Sequence, residues 1–330
     1  MRPATVHIIQ IISKAMVSFA LLPTILTGCQ LEDDRDLCCP GPLTMHYVYR
    51  PDGTDVFSDN ILSLRHFLFD AGGIFVRELP TGEKLNRQPL ELNAGTYTMI
   101  TIGNMTDITA HDHGSSHLID QFTLSHTARN RKRESAYANT DELFWGVKHF
   151  AVDADGRGHD IVKEGEALST NRLTTPMVNI HCHLKVTVEW VGRPPYIGSY
   201  EMELAGVHTQ YSLDPGNTSL TADGLNVPAG DKAETYSLNV PLRQLGLREE
   251  FVTLRYTDTQ IPTLRIKYDG LPVIPDIDLG KAFRAWGWRP SATHVQDYEI
   301  LLRVINENRV DLLPMVEGSV ADWVNGGSFG

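Results

Sequence analysis

Ile180-His181-Cys182-His183-Leu184-Lys185-Val186-Thr187-Val188-Glu189-Trp190 runs apolar, polar, apolar without a break. Strict alternation places Ile180, Cys182, Leu184, Val186, Val188 and Trp190 on one face of an extended chain. The intervening polar residues fall on the other, the pattern of a strand with one wet face. Tyr236, Leu238, Val240 and Leu242 repeat the pattern, as do Leu264, Ile266 and Tyr268, then Tyr298, Ile300, Leu302 and Val304. Toward the N-terminus, Leu43, Met45, Tyr47 and Tyr49 alternate, and 62–69, 73–76, 97–102 and 143–150 read as further strands. Turn signals separate them: Pro51-Asp52-Gly53, Ala71-Gly72-Gly73, Asn93-Ala94-Gly95, Asp153-Ala154-Asp155-Gly156 and Tyr268-Asp269-Gly270. Many short strands so punctuated predict an all-β protein of antiparallel sandwiches. Helix is expected only as short turns at Asp231–Glu234 and Pro241–Leu247.

The polar stretch Glu164–Pro176 separates two sets of strands and predicts two sandwich domains, 38–170 and 171–330. No exact internal repeat is visible. At the N-terminus, Arg2 and Lys14 precede an apolar run, Ala15–Leu26, of signal-peptide length and too short for a membrane span. Leu26-Thr27-Gly28-Cys29 then reads as a lipobox. Residues 1–28 are therefore predicted to be a lipoprotein signal peptide. Cys29 is predicted to carry palmitate-type acyl chains, each buried methylene adding roughly 0.8 kcal/mol of membrane affinity. Gln30-Leu31-Glu32-Asp33-Asp34 opens an acidic tether, 29–37, resembling the surface-export signal of Bacteroidota lipoproteins; a plain solvated tether has the same charge pattern.

The formal charge is −12, and losing Arg2 and Lys14 makes the mature chain more acidic still. Such a surface repels nucleic acid and anionic head groups, so no nucleic-acid partner is expected. With Cys29 assigned to lipid, Cys38, Cys39 and Cys182 are left. No second pair at zinc-finger spacing accompanies Cys38-Cys39. Cys182 reads as a small buried hydrophobe, with a bridge to Cys38 or Cys39 as the alternative in an oxidising envelope.

Candidate sites are few. His111, Asp112, His113, His117 and Asp120 form the best metal-like cluster and motivate a metal-dependent hydrolase reading, but Gly114-Ser115-Ser116 interrupts them and a polar loop is favoured. His181 and His183 share a strand face without an evident third ligand. Neither a metal site nor a cofactor is expected. Arg129-Asn130-Arg131-Lys132-Arg133 is a basic run suited to processing or to an acidic partner, or simply an exposed loop. Trp286 and Trp288, with Arg289, suggest two indoles on one side of a strand, a platform for sugar faces. No nucleophile elbow, phosphate loop or zinc-protease helix is present, so the chain is not expected to be an enzyme.

Longer segments carry a resemblance. Cys39-Pro40 and Leu43-Thr44-Met45-His46-Tyr47-Val48-Tyr49 lead into Phe57-Ser58-Asp59-Asn60-Ile61, then Leu68-Phe69-Asp70-Ala71-Gly72-Gly73-Ile74-Phe75-Val76. Asn93-Ala94-Gly95-Thr96-Tyr97-Thr98, Gly103-Asn104 and Asp141-Glu142-Leu143-Phe144-Trp145-Gly146 follow, with the strand at Tyr298 and Trp323 near the end. In this order they resemble the FimB-type fimbrial anchor lipoproteins of Bacteroidota, of the type V pilus and fimbrillin-like superfamily. The resemblance implies two tandem transthyretin-like sandwiches. It also implies a place at the base of a pilus on the outer membrane, with fimbrial subunits of that pilus joined by strand addition. The alternative is a glycan-binding surface lipoprotein of a nutrient-uptake system, resting on Trp286 and Trp288.

Overall fold

The computed structural model describes residues 42–133, 135–161, 170–220, 226–244 and 246–315. The signal segment, Cys29, the acidic tether, Cys38, Cys39 and Trp323 lie outside them. The described chain is nearly all β, in four sheets packed as two pairs.

The first pair sets a small sheet, β1 (Thr44–Val48) between β4 (Arg87–Pro89) and β11 (Arg172–Pro176), against a larger one. In order, the larger sheet holds β10 (Gly158–Asp160), β9 (Phe144–Val152), β5 (Gly95–Gly103), β2 (Leu64–Asp70) and β3 (Phe75–Leu79), with β12 (Val178–Asn179) also pairing β9. Met45 and Tyr47 from β1 meet Leu68, Met99 and Phe150 from the larger sheet in one core. The opposite face of the larger sheet is buried too. Phe67, Phe69, Ile100, Ile102 and Trp145 pack there with Phe122 and Leu124, and with Ile180, Tyr211, Leu213 and Leu254 from the second half. A sheet covered on both faces takes continuous apolar runs, which is why Phe67-Leu68-Phe69 does not alternate.

The second pair begins with β13 (His181–Trp190), which carries the alternating stretch. Its apolar face is buried as expected, and β13 lies between β17 (Gly246–Leu254) and β21 (Gln296–Asn306), with β22 (Arg309–Pro314) at the edge. β13 runs antiparallel to β17 but parallel to β21, so this sheet is mixed. Against it packs a sheet built on the long hairpin partners β14 (Ser199–Ser212) and β16 (Asn226–Pro241), with β15 (Thr218–Leu220), β18 (Thr263–Tyr268), β19 (Leu271–Pro272) and β20 (Ile277–Asp278). Tyr200, Met202, Leu204, Tyr236 and Ile266 of this sheet meet Leu184, Val186, Phe251, Ile300 and Leu302 of the other.

Three first-half strands cross over. β7 (Thr123–His126), paired with β6 (Thr109–Asp112), adds to β14, and β8 (Ala136–Tyr137) adds to β16. The two sheet pairs thus share strands as well as the third core cluster.

The helical turn expected at Asp231–Glu234 does not form: these residues lie within β16, paired to β14. Of the other expected turn, Pro241 ends β16 and Gly246 opens β17, while residue 245 lies outside the described residues. Helix occurs instead at α1 (Phe57–Asn60) and α2 (Leu279–Trp286). The turn at Asp70 forms as its sequence suggests. Its carboxylate accepts from the amides of Gly72 and Ile74, both 2.9 Å, while Gly73 takes φ 73°, left-handed geometry that glycine adopts without Cβ strain.

Candidate functional site

The tryptophan pair sits on a helix end, not on a strand. Leu279, Ala282, Phe283 and Trp286 recur at helical spacing. The Asp278 side chain caps the first turn by accepting from Lys281 N at 3.1 Å, and Gly287 ends the helix at φ 71°. Trp286 closes the helix and Trp288 follows its cap, so the two are brought together by the chain reversal rather than by strand alternation. Both are half-buried. Their rings meet edge to face, 4.9 Å apart at 65°, and Trp288 stacks on Tyr298 at 5.1 Å. Part of each indole is therefore engaged with the protein core.

The histidines of the 111–120 segment do not gather as ligands. Among the described residues they form no group of three metal donors. Instead, His113 stacks between Phe75, at 3.9 Å, and Phe122, at 4.8 Å, while His111 lies 4.8 Å from Phe67. Burial holds both imidazoles below their ordinary pKa, with the Arg65 guanidinium adding to the effect at His111. Aromatic packing against the shared core accounts for this cluster.

His181 and His183 behave differently from the sequence expectation. His181 is buried, not wet. Its Nδ1 donates to the Leu143 carbonyl at 2.9 Å, and its Nε2 accepts from the Asn179 amide at 3.2 Å. Burial pushes its pKa down to about 4. His183 Nδ1 lies 2.6 Å from Glu250 Oε1, and its Nε2 is 3.7 Å from Glu142 Oε1. Glu142 enters from the segment before β9, Glu250 from β17. Glu142, His181 and His183 place one donor atom each within 4.8 Å of the others, so Glu142 stands where a third candidate donor to the strand pair would stand. No signal within β13 itself points to Glu142, because it arrives from the other sheet pair.

The basic run is partly structural. Arg133 pairs with both Glu201 and Glu203 on β14, and Lys267 Nζ reaches Glu203 Oε2 at 2.5 Å. Arg129 lies over the Tyr137 ring at 4.6 Å. Arg131 and Lys132 occupy the turn between them. Cys182 is fully buried and unbridged among the described residues, and burial raises its thiol pKa far above the ordinary value.

Among the described residues no strand pairs with the outer edge of β22, which runs beside a cleft. Met315 N donates to Glu299 O, so by the alternation of an antiparallel ladder the amides of Leu312 and Val310 point away from β21. Pro314 falls at the next outward position and has no amide to offer. Between this edge and Pro275–Asp278 with Ala282 of α2 lies a cleft of ≈ 240 Å³. By contrast, the outer edge of β17 is covered: Thr140 N donates to Val252 O at 2.9 Å, and Asn139 bonds both the Glu250 carbonyl and the Val252 amide.

An all-β chain of paired, strand-sharing sandwiches is an architecture with solved counterparts. The fimbrial anchor protein Mfa2 from Porphyromonas gingivalis superposes with a TM-score of 0.57 at 16% identity, covering 84% of this chain and 98% of that one. A candidate adhesin from Bacteroides ovatus gives 0.59 at 12% identity, covering 84% and 96%. Another from Bacteroides thetaiotaomicron gives 0.57 at 17% identity, covering 83% and 96%. Comparison with curated proteins gave no match. The chain belongs to the family of fimbrillin-A associated anchor proteins Mfa1 and Mfa2, whose model matches residues 35–325.

Proposed function

We propose that this chain is a non-catalytic anchor subunit of a fimbria, held at the outer-membrane surface by lipid on Cys29 and joined to its neighbouring subunit by strand addition. The family match over nearly the whole mature length carries this reading. The lipobox supports the membrane end, since an anchor needs one firm membrane attachment and one protein joint. For the joint, the β22 edge is the best-suited element. It offers outward amides at Val310 and Leu312 beside a cleft that an extended segment can enter, the arrangement strand addition uses. Each sheet pair is read as one transthyretin-like sandwich. After the excursion of β6, β7 and β8 into the second pair, the chain leaves the first pair for the last time at Ile180, following β11 and β12, which pair with β1 and β9. Deleting the gene tests the role: pili are expected to be shed into the medium or to change length. Cells that keep attached pili of normal length without it would rule the anchor role out.

A second reading, glycan binding, rests on the exposed portions of Trp286 and Trp288. A glycan array with the Trp286→Ala/Trp288→Ala double variant discriminates. Micromolar binding lost in that variant favours a glycan receptor over an anchor.

A further inference from the structure

We propose that Glu142, His181 and His183 form a binding site for a single divalent transition-metal ion of the zinc class, at the seam between the two sheet pairs. Two imidazoles and a carboxylate are a donor set that such ions take readily. The surrounding hydrogen bonds prepare it. A carbonyl can only accept, so the Leu143 carbonyl fixes the His181 proton on Nδ1 and leaves the lone pair on Nε2. The Glu250 carboxylate does the same for His183, taking Nδ1–H at 2.6 Å and leaving Nε2 directed toward Glu142. A carbonyl or carboxylate behind each imidazole is the outer support that metal-bound histidines usually have.

Zinc–nitrogen and zinc–oxygen bonds of roughly 2.0–2.2 Å bring tetrahedral donors closer together than these donors now stand. The movement falls on Glu142, whose side chain is 57% exposed and free to swing inward. At His181 the ion replaces the 3.2 Å contact from the Asn179 amide. Charge is favourable on balance. The Glu142 carboxylate faces the site, and that of Glu250 stands behind His183. The nearby Arg255 guanidinium is turned to the carbonyls of Asn179, His294, Pro290 and Thr293.

Because Glu142 belongs to the first sheet pair and both histidines open the second, the ion would brace the seam, with water in the fourth position. The test uses detergent-solubilised full-length protein, stripped with chelator and titrated with zinc alone. Bound metal is counted after gel filtration, and thermal unfolding is followed in parallel. One zinc per chain and a raised Tm are expected. Glu142→Gln and His183→Gln should each weaken binding by roughly tenfold or more, and Glu250→Gln by a comparable factor through loss of orientation. His117→Gln, away from the site, should bind as the parent does. Glu142→Gln alters only an exposed group, so circular dichroism should show its fold intact. Absence of stoichiometric zinc in the parent, or unchanged affinity in both Glu142→Gln and His183→Gln, would overturn the proposal.

Discussion

Tyr211 donates its hydroxyl to the Ile180 carbonyl at 2.7 Å, tying the long strand β14 to the residue that joins β12 to β13. The same oxygen accepts the Arg255 amide at 2.8 Å. Burial pushes the phenol pKa well up, so the group is a neutral donor at any ordinary pH. Tyr211→Phe keeps the ring and removes both bonds. The Ile180 carbonyl retains a longer contact, 3.3 Å, from Arg255 N, which softens the loss. Chemical denaturation should show a destabilisation of about 1–2 kcal/mol, the usual cost of leaving a buried polar group under-satisfied. Unchanged stability would mean that the seam does not depend on this hydroxyl.

Acid should destabilise the protein through buried imidazoles. His66 is fully buried, bonded through Nδ1 to Tyr47 Oη at 3.1 Å and Thr101 Oγ1 at 3.2 Å, and burial lowers its pKa to about 4. The unfolded chain titrates near the ordinary 6.5. Above pH 6.5 both states are neutral and His66 adds no slope. Between 6.5 and about 4 the unfolded chain gains a proton that the folded chain refuses, so stability falls as pH falls. The loss is bounded at roughly 3 kcal/mol for this group. His181, lowered to about 4 as well, acts in the same window and direction. Urea midpoints at pH 7.5, 6 and 5 should decline, and His66→Gln should decline less steeply than the parent. Parallel pH profiles for the two would remove His66 from the account.

Much of the fold was legible because β13, β18 and β21 each have one face packed and one face freer, which writes burial directly into alternation. Where a sheet is buried on both faces, as at Phe67-Leu68-Phe69, the alternation vanishes while apolar content still marks the strand. Strands whose partners are remote were harder. β11 is polar and short, and only its parallel partner β1 places it in the first sheet pair. The helix α2 had left a signal that spacing alone could reveal: Asp278 at the cap, Leu279, Ala282, Phe283 and Trp286 on one face, Gly287 at the end. The i, i+2 spacing of Trp286 and Trp288 masks that helical pattern by imitating strand alternation. The histidine pair of β13 was visible, but Glu142 and Glu250 come from other strands, and no local pattern announces a meeting arranged by tertiary folding.

The proposed joint at β22 can be separated from side-chain packing. Leu312 is buried, and its amide faces away from β21. Leu312→Pro removes both side-chain volume and the outward amide, whereas Leu312→Ala removes volume alone. Both should lower stability, by roughly 2–5 kcal/mol for the alanine variant. Only the proline variant should lose an edge bond to an added strand beyond that common loss. Assembly with partner subunits, measured at a temperature where both variants are folded, should therefore fall further for proline. Equal assembly by the two would place the joint on another edge.

The membrane end gives the last test. Cys29→Ser removes the thiol that acylation requires and leaves every described strand untouched, since the first described strand begins at Thr44. No described helix is long and apolar enough to cross a membrane, and the chain's net charge of −12 gives no attraction to anionic lipid. Acyl burial is then the dominant membrane interaction in this reading, each methylene contributing roughly 0.8 kcal/mol. The variant should fold, with the parent's circular dichroism spectrum, and move from the membrane fraction to the soluble fraction. Intact mass of the parent should begin at Cys29 with acyl mass added. To keep pilus contacts from holding the variant at the surface, the fractionation is done in cells lacking the other pilus subunits. Firm membrane association of Cys29→Ser in that background, or a mature chain that retains residues 1–28, would overturn the lipid-anchor reading.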